Sequence, residues 1–197
     1  MVIGSILLVS GLATGCTNTS AGQPLPTATG RTTDGTDASP SSNSSTSGSA
    51  PARPQELRLD GKDPCALVPQ SDWPKFYIDK PGKPGQDETF KSPDCFYSNN
   101  VLGLGIALVV TEGINKWTDG SRTATAQQVA PIEGFPAISV TRNNDKYTCA
   151  IAVDVANGQY LWADVNLTPS KASQVPERCE YAHQWAESAM RTLVRGG

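Results

Sequence analysis

Apolar and polar positions divide the chain into three parts. Residues 1–16 carry no charge and contain an apolar run that ends at Leu12. Residues 17–55 are rich in Ser, Thr, Gly and Pro, and Leu25 is their only large apolar side chain. Beyond them, apolar residues recur at the periods of strands and helices. We therefore expect one folded domain, residues 57–197, behind a polar segment and an apolar N-terminus.

The clearest strand signal is "VLGLGIALVV", residues 101–110. One face carries large apolar side chains, and the other carries the small residues Gly103, Gly105 and Ala107. Apolar residues on both faces predict a strand buried on both sides, and the glycines leave a smooth face that another element can approach closely. Gly103 and Gly105, together with Trp117 in the following loop, are therefore candidates for a ligand groove. The alternative is that these residues only pack.

Asn157-Gly158, between two β-rich runs, predicts a hairpin with a two-residue type I′ turn. Counting outward from the turn gives these cross-strand pairs: Val155 with Tyr160 and Val153 with Trp162 on one face, and Asp154 with Leu161 and Ala152 with Ala163 on the other. We expect the aromatic face to cover the core. On this register Asp154 and Asp164 point to opposite faces, which would prevent them from acting as a paired acid and base.

Shorter segments complete the sheet region. Pro64 after Asp63 predicts a short helical piece, whereas the Pro/Gly-rich stretch at residues 79–88 predicts a loop. Two further strands are expected at residues 128–132 and 137–142.

The last segment has an apolar stripe at helical spacing, formed by Cys179, Ala182, Ala186, Ala189, Met190 and Leu193. Trp185 is expected at the edge of this stripe, and Ser188 and Arg191 are expected to face water. The order of elements predicts a single α+β domain: an antiparallel sheet on which the C-terminal helix and short N-terminal helical pieces pack.

Five cysteines are present. If Cys16 is set aside, Cys65, Cys95, Cys149 and Cys179 remain, with gaps of 30, 54 and 30 residues. Four cysteines allow three pairings, and we favour Cys65–Cys95 with Cys149–Cys179 because this pairing closes two loops of equal size. A zinc site is the alternative, but no pair has the close spacing typical of zinc ligands.

The N-terminal run is too short for a transmembrane helix, which needs about 20 apolar residues, but it matches the core of a signal peptide. Residues 12–16, "LATGC", resemble a bacterial lipobox, with Ala13 where Leu is usual. We expect a lipoprotein signal peptide at residues 1–15 that lacks its basic start, and a lipidated Cys16 followed by a disordered tether to residue 56. This arrangement would place the domain at the extracytoplasmic face of the plasma membrane. The alternative is a buried element with a free cysteine.

Charge and motifs exclude several function classes. The net charge is −3 and there is no run of Lys or Arg, so nucleic acid is not an expected partner. The sequence contains none of the common nucleophile, zinc-protease or phosphate-loop motifs. His183, the single histidine, borders the helix stripe and is expected to be a packing residue. We therefore predict no catalytic residues, cofactor or metal, and a hydrolase using His183 is only an alternative.

Taken together, the lipobox, the polar tether, "DPCAL", "DCFY", "GFPA", "CAIAV" and "CEYA" resemble actinobacterial lipoproteins of the domain of unknown function 3558 family. The resemblance implies an exported, membrane-anchored α+β domain with paired cysteines and no assigned activity. We expect a monomeric, non-catalytic binding module that contacts a small apolar ligand, an envelope lipid or glycan, or another envelope protein. A structural or sensory accessory of an envelope complex is the alternative.

Overall fold

The computed structural model of the chain describes residues 52–196. The expected signal peptide, the lipid attachment at Cys16 and nearly all of the expected tether lie outside the described residues. The strands are β1 (Lys83–Gln86), β2 (Pro93–Ser98), β3 (Leu102–Val109), β4 (Thr125–Ile132), β5 (Phe135–Thr141), β6 (Thr148–Ala156) and β7 (Gln159–Leu167). The helix α1 spans Arg178–Arg195, and 3₁₀ helices span Pro64–Ala66, Gln70–Phe76, Ile114–Trp117 and Pro169–Gln174.

All seven strands form one antiparallel sheet in the order β1-β2-β3-β7-β6-β5-β4. Helix α1 and the N-terminal 3₁₀ helices cover one face, which we call the inner face. The opposite, outer face is covered by loops and by the short 3₁₀ helix Ile114–Trp117. This arrangement confirms the predicted α+β class. Within the described residues, no helix is both long enough and apolar enough to cross a membrane.

The inner face holds the main core. The large side chains of β3 point into it as predicted, and they meet the apolar stripe of α1. Trp185 is fully buried rather than at the edge of the stripe, and its indole Nε1 donates a hydrogen bond to the carbonyl of Gly105 at 2.8 Å. Ser188 is also buried, and both it and Arg191 bond the carboxylate of Asp72. The expectation that these two residues face water is therefore wrong, because the second 3₁₀ helix covers that side of α1.

Both disulfides form with the predicted pairing. Cys65–Cys95 joins the first 3₁₀ helix to β2, and Cys149–Cys179 joins β6 to the first turn of α1. Each closes a 30-residue separation, for which chain entropy gives a stabilisation of about 3.5 kcal/mol. The two disulfides therefore tie the first 3₁₀ helix and α1 to the sheet.

The β6–β7 hairpin has the predicted two-residue loop at Asn157-Gly158, but the predicted turn type is wrong. Type I′ needs a positive φ at both loop residues, and only Gly158 has one, at 71°. The register also differs from the prediction. Ala156 pairs with Gln159 beside the turn, and beyond it Asp154 pairs with Tyr160. Val155 is thus the extra residue of a β-bulge. Its carbonyl accepts a hydrogen bond from the backbone N–H of Leu57 at 2.8 Å.

With this shifted register, the aromatic residues of β7 lie on the outer face of the sheet and not on the inner face, where they were predicted. Tyr160 and Trp162 lie on the outer face in a separate apolar cluster, so the prediction that they cover the main core is wrong. Asp154 and Asp164 share the outer face, contrary to the predicted register. They still do not form a pair, because their pairing positions on β6 are four residues apart, a distance of about 13 Å.

Strand β1 is another difference from the sequence prediction. β1 lies within the expected loop, and all four of its residues are exposed. Neither of its faces is buried, so its sequence has no alternation of apolar and polar residues. It lies at the edge of the sheet and pairs only with β2. Pairing, rather than burial, makes this segment a strand.

Candidate ligand-binding site

A cavity of about 210 Å³ opens on the outer face of the sheet. Aromatic rings form one side of it, contributed by Phe90, Trp117 and Trp162. The remaining lining is mixed, with apolar residues from β5 and β6 and with polar side chains that include Asp87 and Asp164. An apolar wall combined with a few convergent polar groups is typical of small-molecule sites.

The aromatic wall is held by the loop between β3 and β4. The Trp117 ring stacks on Trp162 with centroids 4.9 Å apart. Trp117 Nε1 donates a hydrogen bond to the Tyr160 hydroxyl, which in turn donates to the Glu112 carboxylate. Arg122 forms an ion pair with Glu112 at 2.6 Å. This network fixes Trp117 in place, and burial raises the pKa of Tyr160, so its hydroxyl remains a donor.

Arg122 also contacts the aromatic rings. Its guanidinium carbon lies 4.9 Å from the ring centroid of Trp117 and 5.2 Å from that of Phe90. Phe90 reaches the outer face because Asp87 accepts hydrogen bonds from the backbone N–H groups of Thr89 and Phe90. The short turn after β1 is thus capped by a carboxylate that also lines the cavity.

Among the carboxyl groups that line the cavity, Asp164 has the largest change in pKa. Burial raises the pKa of its carboxyl from 3.8 to about 6. The negative charges of Asp87 and Asp94 act in the same direction, whereas a hydrogen bond from the Trp162 side chain and the positive charge of Arg142 lower the pKa. The pKa of Asp94 is also raised, by burial and by Asp87. Three carboxyl groups therefore repel one another beside the aromatic wall.

Gly105 makes room for this carboxylate. Asp164 and Gly105 pair across β7 and β3, and a Cβ atom on Gly105 would collide with Oδ1 of Asp164. Gly103 is covered in a similar way by the ring of Phe96, since its Cβ would lie 2.9 Å from the ring's Cζ atom. The space above the two glycines is therefore filled by the side chains of Asp164 and Phe96, which lie on the neighbouring strands.

The predicted groove residues thus have different positions. Trp117 lines the cavity, whereas Gly103 and Gly105 lie outside its lining. Sequence reasoning missed Phe90, Trp162 and Asp164. The alternation of Trp162, Asp164 and Asn166 along β7 was the available signal, but the predicted register placed the aromatic face of β7 on the main core.

His183 lies away from this cavity, where α1 meets β4. Its Nε2 atom is 3.1 Å from the carbonyl of Ala130, and its Nδ1 atom is 3.3 Å from the Glu187 carboxylate. The Nε2 contact links α1 to the edge strand β4, whereas the Nδ1 contact lies within α1, one helical turn away. Among the described residues, no group of His, Cys, Asp or Glu side chains is arranged to hold a metal ion.

Comparison with known proteins gives a family but no activity. One family model matches residues 11–192, which include all seven strands, both disulfides and most of α1. No curated protein and no solved structure matches the chain. The matched range covers most of the chain, and the chain therefore belongs to the family described as protein of unknown function (DUF3558).

Proposed function

We propose that the protein is an exported lipoprotein whose folded domain binds a small molecule in the outer-face cavity without catalysing a reaction. The cavity carries the proposal, because it combines an aromatic wall with half-buried carboxylates. The network of Glu112, Tyr160 and Arg122 fixes the wall before any ligand arrives, and such preorganisation lowers the cost of binding.

The cellular location is a second part of the proposal. The sequence "LATGC" supports lipid attachment at Cys16, and the resemblance to actinobacterial lipoproteins supports the same anchor. The two disulfides are compatible with an oxidising compartment outside the cytoplasm. In this arrangement the domain is held at the extracytoplasmic face of the plasma membrane.

Native mass spectrometry tests ligand binding directly. The full chain is purified from its own envelope in mild detergent, and its mass is compared with that of the Trp162→Ala variant. We expect the wild type to retain a small molecule that the variant loses. Phe96→Ala is the matched control, because Phe96 is an exposed ring on the same sheet face that does not line the cavity. Equal ligand content in all three proteins would contradict a site at this cavity.

Labelled fatty acid tests the anchor. We expect incorporation into the wild type and none into the Cys16→Ala variant, since lipidation requires the thiol. Incorporation that persists in the variant would show that Cys16 is not the attachment site. Cys16→Ser serves as a second variant, because it also removes the thiol. A change at Cys65 is not a suitable control, because it would break the disulfide with Cys95.

A further inference from the structure

We propose that the ligand of the outer-face cavity is a small organic ammonium ion, with its charged nitrogen between the Trp162 ring and the Asp164 carboxylate. This inference rests on the proposed binding function and names the chemical class of the ligand. The two residues are two positions apart on β7 and both line the cavity, so their side chains lie side by side, about 7 Å apart at the backbone.

The charges around the cavity favour a cation. Asp87 and Asp164 line it, and Asp94 is close enough to Asp164 to raise its pKa. Of the described residues that line the cavity, only Arg142 carries a positive charge. Arg122 lies beside the aromatic wall, but its charge is balanced by the ion pair with Glu112. Arg142 is exposed, so water screens its charge more than it screens the half-buried carboxylates. A bound cation would relieve the repulsion between the carboxyl groups.

The aromatic wall favours an organic cation over a metal ion. Ring faces attract ammonium and guanidinium groups within about 6 Å of the ring centroid. The protein already uses this attraction, because the Arg122 guanidinium lies over the rings of Phe90 and Trp117. The carboxylates, in contrast, are not arranged as metal ligands. An ion with alkyl groups can contact the rings and one carboxylate at the same time.

The cavity has the size for such an ion. Its volume of about 210 Å³ corresponds to roughly seven water molecules in the liquid, which suits an ion with about as many non-hydrogen atoms, such as choline. Choline has a neutral analogue of the same shape, 3,3-dimethyl-1-butanol, in which carbon replaces the charged nitrogen. The two molecules therefore separate the effect of charge from the effect of shape.

The test is a titration of the full chain, with both disulfides formed, observed through the indole N–H signals of its four tryptophans by NMR. Trp117 and Trp162 line the cavity, whereas Trp73 and Trp185 pack on the inner face and serve as internal controls. We expect choline to shift the first two signals with a Kd at least about tenfold lower than that of 3,3-dimethyl-1-butanol. The Asp164→Asn variant should lose this preference.

Asp79→Asn is the control for net charge, because it removes one carboxylate from an exposed position that does not line the cavity. It should bind choline like the wild type. Choline binding to the wild type should also weaken between pH 7.5 and pH 5, as Asp164 becomes protonated. The charged groups facing Asp164 are Asp87 before β2, Asp94 on β2 and Arg142 after β5.

The outcomes distinguish this inference from the proposed function. If the neutral analogue binds as tightly as choline, and Trp162→Ala weakens both, the cavity is a binding site but its ligand is not an ammonium ion. If neither probe shifts Trp117 or Trp162, the ammonium inference is wrong, and the native mass spectra decide separately whether the cavity binds anything. Equal choline affinity in Asp164→Asn and Asp79→Asn would also overturn the inference.

Discussion

The two faces of the sheet are closed in different ways. On the inner face, α1 and two disulfides cover a continuous apolar core in which Trp185 is fully buried. On the outer face, the loops that carry Phe90 and Trp117 cover only part of the strands and leave a cavity. The inner face therefore carries most of the stability, and the outer face has room for polar groups that would be costly in a closed core.

Removal of an inner-face tryptophan should produce the largest effect. Trp185→Ala deletes a fully buried ring that contacts Phe76 and Tyr97, and we expect a loss of about 3–5 kcal/mol in the free energy of unfolding. Trp117→Ala is the matched change on the outer face, where the ring is only partly buried, and it should cost less than half as much. Urea denaturation measures both values. Equal losses would contradict the difference between the faces.

The disulfide between β6 and α1 should have the next largest effect. Replacement of Cys149 and Cys179 by Ala removes a link that closes a 30-residue separation, and we expect a loss of about 3.5 kcal/mol in the free energy of unfolding. Chemical reduction of this variant then breaks the remaining disulfide, Cys65–Cys95, and measures its separate contribution to the free energy of unfolding. If thermal and urea unfolding are unchanged by the double substitution, α1 is held by packing alone.

On the outer face, replacement of Asp164 should increase stability in a pH-dependent way. Folding raises the pKa of this carboxyl from 3.8 to about 6, so the ionised form destabilises the folded state above pH 6 and has no such effect below about pH 4. Asp164→Asn should therefore raise the free energy of unfolding by about 1–3 kcal/mol at pH 7.5, and this gain should vanish towards pH 4. A gain that is equal at both pH values would exclude the carboxylate charge as its cause.

The smallest effects should come from the two glycines of β3. The close contacts of a Cβ on Gly103 are with the end of the exposed Phe96 ring, which can turn away. Gly103→Ala should therefore change stability by less than about 0.5 kcal/mol. A Cβ on Gly105 displaces the Asp164 carboxylate, and Gly105→Ala should cost about 1 kcal/mol more. The side-chain carboxyl shift of Asp164 in NMR should also move, in the Gly105 variant alone.

The local elements were predictable because their patterns are local. The apolar alternation of β3, the turn at Asn157-Gly158 and the stripe of α1 each depend on residues close in sequence. The disulfide pairing was a preference among three, based on loop size, and the structure decided it. Trp117 was found as a site residue, but its partners Trp162 and Asp164 were not, since their face depends on the register of the hairpin.

By itself, the sequence determined the fold class, the position of the main strands and helix, and the composition of the inner core, because burial imposes a period on neighbouring residues. The tertiary structure alone decided which face of β7 carries the aromatic residues. Leu57 bonds the carbonyl of Val155, in the segment where the hairpin register shifts, and no local pattern encodes a contact between such distant residues. The cavity depends on that shift, since only the shifted register brings Trp162 and Asp164 together with Asp87 on the outer face.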